Sequence, residues 1–145
     1  MKLFQIEEPD GPLVDSDAAG AAVGIDLAVA VARVAIAVGG NAEILPDADG
    51  NRALDVVGAA LGDVLLALRA RAEKQLARPV THAAIASDAD GAAIARASDE
   101  AGLALLRHVA RGEAAALAPG AAAEEAAVLG AAMIAEDMVP GGSAN

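Results

Sequence analysis

Aspartates are the first side chains in this sequence that could do chemistry. Asp26 sits in the apolar run Gly24-Ile25-Asp26-Leu27, Asp88 and Asp90 sit in Asp-Ala-Asp-Gly at 88–91, and Asp99 follows. Carboxylates gathered at strand ends can hold two metal ions for hydrolysis. Asp26, Asp88, Asp90 and Asp99 are the set that could converge in that way, which would make the protein a metal-dependent enzyme or sensor. Asp-Ala-Asp-Gly occurs a second time at 47–50 and hints at calcium. An EF-hand loop needs Gly at its sixth position and Glu at its twelfth. Counted from Asp47 those positions are Arg52 and Gly58; counted from Asp88 they are Ala93 and Asp99. Both stretches read better as a β-turn and a helix cap. His82 and His108, the only histidines, lack the close pairing of a zinc site. No cysteine is present, which excludes disulfides, thiolate ligands and cysteine nucleophiles. There is no P-loop, dinucleotide fingerprint, nucleophile elbow or His-Glu-x-x-His. The preferred reading therefore has no catalytic residue, no metal site and no cofactor.

Composition narrows the partners. The net charge of −11 repels phosphate backbones and anionic lipid, so nucleic acid and membrane surfaces are excluded as partners. The opening "MKLFQIEEPDG" lacks a signal peptide's apolar core, which with the missing cysteines reads as cytoplasmic. Residues 21–38 are apolar enough to raise a membrane span, but Asp26 and Arg33 interrupt them and a β-hairpin fits better. A chain of 145 residues suits one domain. Alanine dominates and Phe4 is the sole aromatic, so the core must be thin, with backbones in close approach.

The elements follow from periodicity. Residues 1–20 read as an extended arm, 21–138 as one domain and 139–145 as a loose tail. Strands are expected at 22–27, at 33–38 with period two, and at 42–45 after the Gly39-Gly40-Asn41 turn. Leu61, Leu65, Leu68, Ala72 and Leu76 mark one face of a helix over 58–77, ended by Pro79, with Arg69, Arg71, Lys74 and Arg78 complementing its dipole. A strand at 80–86, a helix capped by Ser87 or Asp88 and running to about 101, a strand at 103–109 and a helix at 121–138 complete the chain. The order β-β-β-α-β-α-β-α predicts an α/β fold with a mixed, RNase H-like sheet.

Several stretches, in order, resemble the nucleotide-binding domain of DnaK-type heat-shock chaperones, above all the HscA type linked to iron–sulfur cluster assembly, within the actin-like ATPases. They are "LFQIEEP" with "AAVGIDL", "NAEILPDADGNRAL", "LRARAEKQLARPVTHAAIA", "AGLALLRHVARGEAAALAPG" and "AAVLGAAMIAED". The resemblance spans most of residues 3–138 and implies a trimmed first lobe, without the second lobe or a substrate-binding domain.

The departures bear on function. Where the family follows Gly-Ile-Asp-Leu with Gly-Thr-Thr-Asn-Ser, this chain has Ala28, Val29, Ala30, Val31 and Ala32. Every hydroxyl and amide donor that could meet phosphate is replaced by an aliphatic group. Asp26, which the resemblance places beside magnesium, reads as an inherited strand-end acid, solvated or bonded to backbone, because one carboxylate is a poor magnesium site. The family's Asn-Glu-Pro-Thr aligns with Ala110, Arg111, Gly112 and Glu113, so the water-orienting acid has become Arg111. The resulting expectation is a non-catalytic binding or structural module. It would form a homodimer through an apolar face at Ala28, Val29, Ala30 and Val31, and by resemblance it would meet chaperone or iron–sulfur assembly partners.

Overall fold

The computed structural model describes residues 20–138. Apart from Gly20, the expected arm and the expected tail lie outside them. Strands β1 (Ala21–Leu27) and β2 (Val31–Val38) form an antiparallel hairpin, and β3 (Asn41–Ile44) extends it. Both residues of the turn into β3, Gly39 and Gly40, have positive φ (62° and 84°), the backbone that a two-residue hairpin turn demands. β4 (Leu54–Asp55) pairs with the start of β2. Helix α1 (Leu61–Leu76) leads to β5 (Val80–Ser87), which lies parallel to β1. Helix α2 (Gly91–Glu100) leads to β6 (Ala104–Val109), parallel to β5. A short α3 (Arg111–Ala115) and a long α4 (Ala123–Met138) follow. The described residues thus form an α/β fold with a six-stranded mixed sheet ordered β3-β2-β1-β5-β6, β4 lying beside β2. Only β4 and α3 are absent from the expected order, and two- and five-residue elements are too short to show a period.

Strand alternation divides β1 between two cores. Ala21, Val23, Ile25 and Leu27 join Val64, Leu65, Leu68 and Ala72 of α1 and Ile94 and Ala97 of α2. Fully burying each of the larger side chains contributes roughly 1.5–3 kcal/mol. The opposite face of the sheet packs on α4 through Ala35, Ala37, Ala84 and Ala86 against Ala127, Val128, Ala131, Ala132 and Ala135. Small residues on both sides let backbones nearly touch. A Cβ on Gly24 would collide with the backbone of Ala131 and Ala132, and one on Gly130 would strike the carbonyl of Ala114 in α3. Polar contacts hold α4 towards both ends. Arg52 makes a bidentate pair with Glu125 at 2.8 and 3.0 Å, and the Glu136 carboxylate accepts from the Gly39 and Gly40 N–H groups at 2.6 and 3.0 Å.

Three local expectations change. Helix α1 stops at Leu76, before Pro79, because Ala77 turns left-handed (φ 56°) and returns its N–H to the Glu73 carbonyl. Neither Ser87 nor Asp88 caps α2. β5 runs through Ser87, Asp88 is drawn to the Arg111 N–H, and Asp90 accepts from Ala93 N–H at 3.1 Å. Arg69 and Arg71 also do more than complement a dipole, since they donate to the carbonyls of Ala101 and Asn51 and so tie α1 to its neighbours.

Two predictions follow from the α4 face. Gly24→Ala should lower the urea unfolding midpoint by an amount equivalent to about 1–3 kcal/mol, because its new methyl meets backbone rather than a movable side chain. The hydrogen bond from Arg52 holds the Glu125 carboxyl below its ordinary 4.5. Stability from that pair is present above this range and is lost as pH falls through the lowered value. Arg52→Met should therefore lower the thermal midpoint at neutral pH, with the difference from the parent closing in acid.

Candidate functional site

The carboxyl ends of the parallel strands β1 and β5 open into a cleft, the usual place for ligands on sheets of this kind. It encloses about 350 Å³ and is lined by Leu27, Ala28, Val29, Leu61, Ser87, Asp88, Ala89 and Arg111. The β1–β2 turn forms one wall. Ala28 N–H donates to the Val31 carbonyl at 3.0 Å, which closes a tight turn over Val29 and Ala30. Val29 is fully exposed at the tip and Ala30 is exposed, while Ala28 and Val31 are half-buried. The Ala30 carbonyl accepts from Val56 N–H at 3.0 Å, which brings the 56–60 segment beside the turn. Val57 in that segment is 74% exposed.

Asp26 is one residue from the end of β1, and alternation turns it away from Leu27 and into the α4 side of the sheet, where it is fully buried. It is neither solvated nor bonded to backbone, contrary to the expectation. Arg111, at the start of α3, reaches it with Nε to Oδ1 at 2.6 Å and Nη2 to Oδ2 at 3.0 Å. This fork-on-fork geometry is the strong form of a charged hydrogen bond. The Arg111 side chain remains 32% exposed, so it separates Asp26 from the cleft. The Asp26 hydrogen bond holds the guanidinium above its ordinary value, and the nearby Asp88 charge adds to this. Asp88 Oδ1 accepts from the Arg111 backbone N–H at 3.0 Å. On β2, Arg33 stands directly opposite Asp26, and its buried Nε finds no hydrogen-bond partner among the described residues.

The other candidates separate. Glu113 pairs with Arg107 at 2.9 Å on the surface. The four aspartates do not converge: Asp90 is spent on its cap, Asp99 lies at the far end of α2, and among the described residues no three His, Cys, Asp or Glu could hold a metal. His82 bonds with Thr81, and His108 Nε2 lies 2.9 Å from the Ser87 carbonyl. Asp47 accepts from the N–H groups of Asp49 and Asn51, which makes the first Asp-Ala-Asp-Gly a turn.

Each Asp26 oxygen thus accepts one hydrogen bond from Arg111, whose side chain lines the cleft where Asp26 does not. Sequence reasoning considered Asp26 and Arg111 separately and missed the pair they form. The available signal was compensation, since a buried acid on a strand requires a cation and a charge-reversed position elsewhere could supply one. No protein-family model and no curated protein matches the chain.

Arg111→Met would strand the Asp26 carboxylate in an alanine-lined core. Urea unfolding should show a loss of about 3 kcal/mol, the low end for a broken buried pair because the guanidinium keeps contact with water. Asp26→Leu combined with Arg111→Met should regain most of it. A single variant as stable as the parent would remove the pair from any structural role.

Proposed function

We propose that this chain is a non-catalytic binding or structural module on an RNase H-like lobe of the DnaK/HscA type, without ATP binding or hydrolysis, that pairs with a second copy through the turn end of the sheet. The sheet order supports the lobe: an antiparallel three-strand meander, continued by two parallel strands reached through helices. The observation that carries the functional reading is the bidentate Asp26–Arg111 pair. It fills the position where a cation bridging to phosphate would act, and it does so beside a turn that offers no side-chain donor. Phosphate groups entering there would lose solvation against Leu27, Ala28, Val29, Leu61 and Ala89 and meet the Asp88 carboxylate, at about 1–3 kcal/mol for each unsatisfied polar group.

Self-association rests on the exposed rim. Val29 and Val57 are both exposed on stretches, residues 27–32 and 56–62, that carry no charge and that the Val56–Ala30 backbone hydrogen bond joins. On a chain of net charge −11, an uncharged patch brings two copies together with the least electrostatic repulsion. A two-fold contact brings the same apolar patch onto itself. Light scattering after size exclusion should give a dimer at micromolar concentration, and Val29→Glu should shift it to a monomer. Calorimetry should show no heat with ATP and magnesium. A parent that is monomeric throughout, or one that binds ATP, overturns the reading.

A further inference from the structure

We infer that the cleft takes an organic cation, an ammonium group on a short aliphatic stem. The inference rests on the preceding reading only in treating the cleft as a binding surface. A volume of about 350 Å³ falls at the small end of ligand sites. Leu27, Ala28, Val29, Leu61 and Ala89 supply apolar walls for a stem, and Ser87, Asp88 and Arg111 supply the polar side.

The sign of the ligand follows from how those charges are spent. Among the described residues Arg111 is the one cationic side chain lining the cleft, and its Nε and Nη2 are committed to Asp26. Asp88 is a second carboxylate against that single guanidinium. Its Oδ1 takes the Arg111 backbone N–H, and its Oδ2 has no partner among the described residues. One negative charge is therefore left over at the polar wall. Asp90 caps α2 just beyond it, and Asp63 lies in the first turn of α1, two residues past Leu61. An anion would meet the Asp88 carboxylate at the wall itself. An ammonium would meet Asp88 Oδ2 and a lone pair of Ser87 Oγ, whose hydroxyl oxygen already accepts from Ala89 N–H at 3.0 Å. Apolar walls reduce screening of that attraction by water.

Amide NMR of the whole chain tests this with four probes: n-butylammonium, butyrate, inorganic phosphate and Nα-acetyl-lysine amide. Butylammonium should give saturable shifts at Ala28, Val29, Ser87, Asp88 and Ala89 that weaken with salt. Asp88→Asn keeps the acceptor for Arg111 N–H while removing the charge, and should weaken binding about tenfold. Ala89→Leu, at an exposed position, should block the cleft and abolish the shifts without loss of folding. Tighter binding of the lysine amide would identify a partner protein's lysine side chain as the source of the ammonium; equal or weaker binding would identify a free amine. Absence of saturable butylammonium shifts, or equal shifts with butyrate or phosphate, overturns the inference. A dimer that binds no amine overturns it alone. A monomer that binds amine leaves it standing and overturns self-association instead.

Discussion

A carboxylate buried among alanines needs a counter-charge, and the placement of α3 answers to that need. Asp26 reaches the α4 side of the sheet because alternation along β1 leaves it no other direction. An uncompensated charge there would cost several kcal/mol. Arg111 supplies the compensation from the first position of α3, immediately after β6 ends. The chain between β6 and α4 is thereby pinned over the end of β1, and Arg111 becomes part of the polar wall of the cleft.

Packing keeps the pair in register. Gly24 lies two residues before Asp26 and admits the backbone of α4; Gly130 of α4 admits the carbonyl of Ala114 in α3; α3 begins with Arg111, which returns to Asp26. These contacts form a closed circuit through β1, α4 and α3. Its two packing steps depend on a missing side chain, so the alanine- and glycine-rich composition serves a purpose. A close-packed interior of small groups transmits displacement with little slack. The Asp26–Arg111 geometry and the seating of α4 therefore depend on each other.

The same circuit sets the charges that line the cleft. Its cation is used internally, its turn is aliphatic, and its remaining charge is negative. What the cleft presents outward is the exposed Val29 at its rim and the Asp88 carboxylate on its wall. The proposed self-association and the proposed ammonium site both rest on this surface.

By itself, the sequence determined the main elements and their order. Period-two alternation at 33–38, the Gly39-Gly40 turn and the leucine face of α1 are local signals, and local geometry obeys them. It also determined that the turn at 28–31 lacks phosphate donors, because side-chain chemistry needs no coordinates. Tertiary structure alone decided what Asp26 meets. Its partner lies 85 residues away, and no periodicity links them. The cap of α2 was likewise decided by competition, since Asp88 is drawn to Arg111 N–H and leaves Asp90 to cap. β4 and α3 exist because neighbours complete their hydrogen bonds and packing, not because two or five residues would hold them alone.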